Sequence, residues 1–280
     1  GVKDRAGMRR LIDGYDTAIR YADDAVGQIV AALEAAGIYE DTAIIVSADH
    51  GENFGELGIY AEHATADEGT CHVPLIVKFP GGVRGARDAG LHYQLDLAPT
   101  LIELLGGAPP DIWDGTSFAA TIRTGAARGR EELVIGQCAH VCQRSVRWDR
   151  WLYMRTYHDG FHLFPDEMLF DLRTDPHEQH DLAGQRGDLC REGVGRLAAW
   201  HDAQMRKMAA TSGDVIDPLW TVIREGGPYH AGFSAGRPDA ERFLRYLKRL
   251  EHTGRAAGAA ALRAKYGPEL ARVTGYPAPA

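Results

Sequence analysis

The segment Ile44-Ile45-Val46-Ser47-Ala48-Asp49-His50-Gly51-Glu52 decides the fold, because an unbroken apolar run gives way to two strong metal-ligand residues and a glycine. Short runs rich in β-branched residues are typical of strands that are buried on both faces of a parallel sheet. In open α/β sheets, ligands bind beyond the carboxyl ends of such strands. The segment therefore predicts that Asp49 and His50 lie at the edge of a buried sheet.

Asp49 and His50 together offer a carboxylate oxygen and an imidazole nitrogen. An imidazole ligand suits zinc or manganese and is less usual for calcium. The alternative is structural, with Asp49 as a helix N-cap and His50 as a surface residue. An isolated Asp-His-Gly would favour that alternative, so the interpretation depends on the rest of the chain.

The surrounding sequence predicts further elements of an α/β sandwich. Apolar residues before the strand recur at steps of three and four, which indicates one face of an amphipathic helix, and Gly37 ends it. A second strand of the same buried type is predicted over 73–79, and a helix over 93–105 that closes at a glycine and proline pair. The apolar positions of the first helix are Tyr15, Ile19, Ala22, Val26, Ile29 and Leu33.

After residue 129 the pattern changes to short strands separated by turn residues, which predicts a small antiparallel sheet with a helix over 189–209 packed on it. The last part holds two charged helical segments, whose arginine-rich face is either solvated or a contact in a homo-oligomer. We therefore predict three parts: the C-terminal part of a catalytic domain over 1–128, a small subdomain over 129–212 and a helical tail over 213–280.

An ordered set of motifs resembles the sulfatase family of the alkaline phosphatase superfamily. The resemblance implies an α/β fold, here part of an alkaline-phosphatase-like α/β sandwich with a small C-terminal antiparallel sheet and helices. It covers roughly the first two thirds of the chain, which makes the match specific. The matching groups are Asp49-His50-Gly51-Glu52, Gly55 to Tyr60, Glu62-His63, Asp67-Glu68, Val73 to Gly81, Tyr15 to Ile19, Asp96 to Leu101, Asp114 to Ser117, Leu169 to Leu172 and Asp175 to Glu178.

One family feature is absent from this sequence. The resemblance implies a Cys or Ser, converted to formylglycine, in a Cys/Ser-Xaa-Pro/Ala-Xaa-Arg motif that follows an early pair of metal-binding aspartates. No cysteine or serine here has that context. We interpret the chain as the C-terminal part of a longer sulfatase-like enzyme, with true loss of the nucleophile as the alternative, and we expect no turnover from the chain alone.

The resemblance also implies roles for individual residues. Asp49 and His50 match metal ligands, with calcium as the family's metal and manganese or zinc as alternatives because of His50. His63 matches a histidine that takes part in proton transfer near the leaving group, and is the predicted catalytic residue. Glu62 stands where the family often has a lysine, so the sulfate contact is either supplied elsewhere or replaced by recognition of a cationic or hydroxyl-bearing part of the substrate. The further alternative is that Glu62 is solvated.

The sequence therefore predicts a metal-dependent sulfuric ester hydrolase acting on a small-molecule or saccharide sulfate ester. A phosphodiesterase or phosphonate monoester hydrolase is the alternative within the superfamily, because phosphoryl and sulfuryl groups share shape and charge. A non-catalytic binding module is the alternative from another class.

Composition is consistent with a globular enzyme and narrows its partners. The chain has 280 residues, 45% hydrophobic and 25% charged, with no apolar stretch that predicts a membrane span. A net charge of −8 argues against a nucleic acid as the main partner. Four cysteines at irregular spacing indicate buried thiols, and Cys138 with Cys142 lacks the second pair of a structural zinc site. The sequence predicts no particular cellular compartment.

Overall fold

The computed structural model describes residues 2–126, 129–225, 227–228 and 240–274. Tyr229 and His230, which the sequence offers as candidates for a substrate contact, lie outside the described residues. The chain divides into two compact units, one of residues 1–63 and 68–133 and the other of residues 64–67 and 134–280. The division into 1–128, 129–212 and 213–280 stays a prediction. The elements are α1 (Arg5–Ala35), β1 (Ile44–Ser47), β2 (Asn53–Phe54), β3 (Tyr60–Glu62), α2 (Glu68–Cys71), β4 (Leu75–Lys78), α3 (Leu97–Leu104), α4 (Ala119–Thr124), β5 (Glu132–Gln137), β6 (Cys142–Trp148), β7 (Trp151–His158), β8 (Glu167–Asp171), α5 (Gly187–Thr211), α6 (Pro218–Arg224), α7 (Ala240–His252) and α8 (Ala256–Thr274).

The first unit opens with the predicted amphipathic helix. The Asp4 carboxylate caps α1 by accepting a hydrogen bond from the amide of Gly7 at 2.6 Å. Gly37 follows the helix with a φ of 69°, a left-handed conformation that favours glycine and ends the helix. None of the helix residues is buried, and Ile29 is 62% exposed. The sequence thus placed the helix correctly, although most of its apolar face is exposed.

The strand that carries the decisive segment pairs differently from the prediction. β1 and β4 are antiparallel, with Ile44 opposite Lys78 and Ser47 opposite Leu75. Both strands are half-buried or exposed. The expectation of a parallel strand pair buried on both faces is therefore wrong for this pair. The physical reason is the connection: parallel neighbours need a crossover, usually helical, whereas a short hairpin and a four-residue helix here return the chain in the opposite direction.

A buried carboxylate links three separate segments in the last part of the first unit. Asp96 is fully buried and accepts hydrogen bonds from the amides of Tyr93 and Thr116, each at 2.7 Å. The Arg130 guanidinium pairs with the same carboxylate through both terminal nitrogens. The ion pair and the two amide hydrogen bonds offset the cost of burying the carboxylate, and loss of Arg130 would leave that charge uncompensated. The predicted helix over 93–105 is present as a 3₁₀ turn at Gln94–Asp96 followed by α3.

The second unit contains the predicted small antiparallel sheet. Its strands are ordered β5-β6-β7-β8, with β6 antiparallel to β7 and β7 antiparallel to β8. α5 packs on this sheet, and Gly193 lets the helix backbone approach the ring of Tyr153, where any Cβ would overlap the ring. The small sheet with its packed helix, and the mixed α/β class, are thereby confirmed.

The last two helices pack against the loop that follows β7. Phe161 packs with a buried apolar cluster contributed by α7 and α8, so one face of the charged tail is covered rather than solvated. Beside it, the fully buried Asp159 accepts hydrogen bonds from Lys265 Nζ at 2.6 Å and from the Tyr266 hydroxyl. The cluster consists of Phe161, Phe243, Leu247, Leu250, Ala259, Leu262 and Tyr266.

Over the part of the chain that the structure describes, no helix combines the length and apolar character needed to cross a bilayer.

Candidate active site

Three ligating side chains meet near the end of β1. His50 follows this strand, Glu52 precedes β2, and His63 follows β3. Because β2 and β3 are antiparallel with Asn53 opposite Glu62, the residues that flank the hairpin lie side by side at its open end. One ligand atom from each of His50, Glu52 and His63 lies within 4.8 Å of the other two. The hairpin therefore gathers two imidazoles and a carboxylate in one place.

The two histidines stack face to face in this group. The ring centroids of His50 and His63 are 3.6 Å apart, with an interplanar angle of 24°. Nδ1 of His63 lies 3.5 Å from an oxygen of Glu52. The side chains of both histidines are 38% exposed, and that of Glu52 is 20% exposed. The group is thus accessible to a small ion or ligand.

A backbone contact fixes the tautomer of His50. Nδ1 of His50 lies 2.9 Å from the carbonyl oxygen of Gly51. A carbonyl oxygen only accepts hydrogen bonds, so Nδ1 carries the hydrogen and Nε2 presents a lone pair in the neutral ring. Metal-binding histidines show this same arrangement, in which one nitrogen donates to a backbone carbonyl and the other binds the metal.

Asp49 lies beside the group of three. One oxygen of Asp49 accepts a hydrogen bond from the amide of His50 at 3.0 Å, and the other lies 3.7 Å from Nε2 of His50. The side chain is 89% exposed, so it is accessible from solvent. The predicted pair Asp49 and His50 is therefore adjacent in space, with the Asp49 carboxylate on the Nε2 side of the His50 ring.

Close backbone packing holds the loop that carries His50. The amide of Gly51 donates to the carbonyl of Thr70 at 2.7 Å, and a Cβ at Gly51 would overlap the carbonyl oxygen of Gly69. The Thr70 hydroxyl donates to the side chain of the fully buried Asn53 at 2.8 Å. Only glycine fits at position 51, which explains the Asp-His-Gly sequence in structural terms.

Glu52 is the residue of the group to which the sequence reasoning gave no role. A His-Xaa-Glu spacing was present at residues 50 and 52, but in irregular backbone that spacing does not determine which way the side chains point. The pairing of β2 with β3 supplies the missing information, because it places Glu52 opposite His63.

Several other charged candidates are engaged elsewhere in the first unit. Nζ of Lys78 donates to the carbonyls of Tyr39, Glu40 and Thr42 at 2.6, 3.3 and 3.1 Å, so this lysine ties the turn before β1 to β4. His72 pairs with Glu68 at 2.9 Å. Glu62 is half-buried at the end of β3, rather than fully solvated.

The donor set fits a divalent metal. Nε2 of His50, which is free of the hydrogen, and a carboxylate oxygen of Glu52 within reach of it match the ligand types of zinc and manganese sites, and the His63 imidazole lies beside them.

Comparison with known proteins relates part of the chain to one family. Residues 2–108 match the family described as Sulfatase. The choline-sulfatase of Rhizobium meliloti (strain 1021) is 28% identical over 263 residues, which cover 87% of this chain and 48% of that protein. The chain therefore spans about half the length of this curated relative.

Solved structures show the same fold. A putative sulfatase from Bacteroides thetaiotaomicron VPI-5482 superposes with a TM-score of 0.64 and 25% identity, covering 85% of this chain and 51% of that one. A phosphonate monoester hydrolase of Agrobacterium radiobacter gives a TM-score of 0.52 and 25% identity, covering 63% and 38%. The chain is therefore similar to sulfatases over residues 2–108, and it shares the fold of a putative sulfatase and of a phosphonate monoester hydrolase.

Proposed function

We propose that this chain supplies the metal-binding and proton-transfer part of a sulfuric ester hydrolase. The observation that carries the proposal is the convergence of His50, Glu52 and His63 within 4.8 Å, next to Asp49. The family match and the choline-sulfatase relative support sulfate esters as the substrate class.

In this proposal Asp49 and His50 are metal ligands, and Glu52 adds a second carboxylate. A divalent ion bound there would polarise the ester oxygens and stabilise the negative charge that develops on them. The imidazole of His50 favours manganese or zinc over calcium, which prefers oxygen ligands alone. Calcium remains the alternative from family resemblance, and metal content distinguishes the three ions directly.

His63 is the proposed acid that protonates the departing alcohol. Its Nδ1 faces Glu52 at 3.5 Å, and in this proposal Nε2 is the atom that meets the leaving oxygen. A carboxylate beside one ring nitrogen orients a histidine so that the other nitrogen transfers the proton, as in catalytic triads. The role is consistent with partial exposure of the ring, because the leaving oxygen has to reach it.

The nucleophile lies outside this proposal. No Cys/Ser-Xaa-Pro/Ala-Xaa-Arg motif occurs in the sequence, and the formylglycine expected from the family would come from elsewhere in the protein. The residues present here bind, orient and protonate, and the attack on sulfur is not assigned to any of them.

The test is an assay of the natural full-length gene product with sulfate esters of aryl, alkylammonium and saccharide alcohols, with inorganic sulfate as the measured product. We expect sulfate release that depends on added divalent metal and is abolished by chelation. Release of sulfate with no requirement for metal would contradict the proposed role of Asp49 and His50. Absence of hydrolysis with every ester class would contradict the function.

Phosphonate or phosphodiester hydrolysis is the second candidate. It is favoured by the histidine of the Asp-His pair and by the structural likeness to a phosphonate monoester hydrolase. The same assay is run with aryl phosphonate monoesters and phosphodiesters under identical metal conditions. The ratio of kcat/KM for these substrates to kcat/KM for the sulfate esters decides between the two candidate functions.

A further inference from the structure

Thr70 in α2 is a buried residue to which the proposed function gives no role. Its exposed fraction is 3%. Its main-chain carbonyl accepts a hydrogen bond from the amide of Gly51 at 2.7 Å, and its hydroxyl donates to the side-chain oxygen of Asn53 at 2.8 Å. Thr70 therefore holds the two residues that flank Glu52 in the chain.

The contact with Gly51 acts on the ring of His50. The carbonyl oxygen of Gly51 lies 2.9 Å from Nδ1 of His50, and this contact leaves Nε2 as the nitrogen with the lone pair. A rotation of the Gly51 backbone would move that oxygen away from the ring. Because Thr70 fixes the amide of Gly51, it restrains the backbone that orients His50.

The contact with Asn53 acts on Glu52 and on the β2–β3 hairpin. Asn53 is fully buried and lies opposite Glu62 in the pairing of β2 with β3. Glu62 directly precedes His63. Because a buried amide oxygen requires a hydrogen bond, the hydroxyl of Thr70 favours the position that Asn53 takes in the hairpin. The hairpin that brings His63 beside Glu52 is anchored in this way.

The segment that carries Thr70 is fixed to the strand that leads to His50. The hydroxyl of Ser47, the last residue of β1, donates to the carbonyl of Pro74 at 2.9 Å. β4 then pairs antiparallel with β1, with Ser47 opposite Leu75. The support for the site is therefore part of the same strand pair that positions His50.

We infer that Thr70 is a positioning residue for the metal site, and that its two hydrogen bonds set the distances among His50, Glu52 and His63. The inference rests on the proposed metal-binding function, and Thr70 is not itself a ligand in it. Hydrogen bonds that orient metal ligands change metal affinity by about 10–100-fold. The hydroxyl is the part of this contact that a substitution removes, because every variant keeps the main-chain carbonyl.

The experiment measures the dissociation constants of Zn²⁺ and Mn²⁺ by isothermal titration of the full-length protein, with urea unfolding of the same variants. Thr70→Val keeps the shape of the side chain but removes the hydroxyl, and should raise the dissociation constant by about tenfold. Thr70→Ser keeps the hydroxyl and should bind metal as the unmodified protein does. If valine prevents folding, Thr70→Ala replaces it and should also raise the dissociation constant.

Thr100→Val is the matched control. Thr100 is fully buried in the same unit, and its hydroxyl donates to the carbonyl of Asp96 at 2.7 Å. The variant should lose stability but keep the metal affinity of the unmodified protein. A change in affinity that follows stability alone would appear in both valine variants, whereas a positioning effect appears only at position 70.

Three results would overturn the positioning role while leaving the metal site intact. They are unchanged affinity in Thr70→Val, or in the alanine variant that replaces it, an equal loss of affinity in Thr100→Val, and a loss in Thr70→Ser as large as that in Thr70→Val. Failure of the unmodified protein to bind either ion would instead overturn the proposed metal site, and this inference with it.

Discussion

The imidazole rings of His50 and His63 stack with their centroids 3.6 Å apart, although the β2–β3 hairpin separates the two residues along the chain. Nδ1 of His50 lies beside the carbonyl oxygen of Gly51, whereas Nδ1 of His63 lies beside a carboxylate oxygen of Glu52. The two stacked rings therefore have different hydrogen-bonding surroundings, which agrees with the proposed division of roles in which His50 binds metal and His63 moves a proton.

Removing the imidazole of His50 should weaken metal binding. We expect His50→Ala to raise the dissociation constant for Zn²⁺ or Mn²⁺ by at least about tenfold, since even supporting groups of metal sites contribute that much. Glu52→Gln should act in the same direction. Isothermal titration with each metal measures the change. His72→Ala is the control, because His72 pairs with Glu68 and lies outside the group of three. Equal affinities in all variants would contradict the metal site.

Replacing His63 should separate proton transfer from metal binding. We expect His63→Gln to lower kcat by about 10²–10⁴-fold for an alkyl sulfate, the range for loss of a general acid, with unchanged metal affinity. The loss should be much smaller for the sulfate of an acidic phenol, because that leaving group needs no proton. The pair of substrates is compared in the full-length protein. An equal loss for both, together with reduced metal content, would identify His63 as a ligand instead.

A side chain at position 51 should disturb the loop that carries His50. Gly51→Ala is expected to destabilise the protein by about 1–3 kcal/mol, because the Cβ overlaps the carbonyl oxygen of Gly69 and the backbone has to shift. Gly27→Ala is the matched control. It lies within α1 with no atom near a new Cβ, and should stabilise the helix by about 0.5–1 kcal/mol. Urea unfolding measures both, and equal effects would contradict the packing constraint.

Lys265 should stabilise the second unit through Asp159. We expect Lys265→Met to cost about 1.5–3 kcal/mol, the range for a hydrogen bond to a charged group, reduced by the 43% exposure of the lysine side chain. Adding Asp159→Asn to this variant should recover part of the lost stability, because the buried negative charge is then absent. Arg20→Met is the control, since it breaks an exposed ion pair with Asp24 and should cost less than about 1 kcal/mol. No recovery in the double variant would contradict the coupling.

His158 should make stability depend on pH. Burial is the main cause that lowers its pKa to about 4, with Lys265 acting in the same direction and Asp159 in the opposite one. Nδ1 of His158 accepts a hydrogen bond from the amide of Gly160 at 3.1 Å, and protonation would destroy that bond. The folded state therefore holds this ring neutral, while the unfolded chain takes up a proton below its ordinary value of 6.5.

The difference between the two pKa values sets the direction in which stability depends on pH. Above about pH 6.5 the contribution of His158 to the free energy of unfolding is fully present. It is lost progressively as the pH falls toward 4, and the loss over that window amounts to about 3 kcal/mol. Urea unfolding of the unmodified chain and of His158→Phe at pH 7 and pH 4.5 checks it. The variant should show a smaller loss on acidification, and an identical loss in both proteins would contradict the assignment.

The sequence predicted those features that depend on local periodicity or on a strong motif. The spacing of apolar residues located α1, and the apolar run before Asp49 located β1 and placed the two polar residues just after its end. The alternation after residue 129 identified the small antiparallel sheet. Each of these patterns lies in consecutive residues, so it can be recognised without knowledge of the tertiary structure.

Features that depend on the path of the chain were missed. The apolar composition of β1 suggested a parallel partner, but composition does not report strand direction, and β4 returns antiparallel. Glu52 joins the histidines only because β2 and β3 pair. The local sequence around Lys78 does not indicate the three backbone carbonyls to which its Nζ donates. In each case a contact between distant residues decides the outcome.

The contact of Asp159 with Lys265 also sets an order of events during synthesis. The lysine leaves the ribosome 106 residues after the aspartate, a delay of roughly 5–20 s at ordinary translation rates. During that interval β7 is complete, but the carboxylate has no cation to accompany it into the interior and stays hydrated. The second unit therefore completes its folding only when α8 has emerged, so a nascent chain halted before α8 would expose the apolar surface around Phe161 to chaperones and proteases.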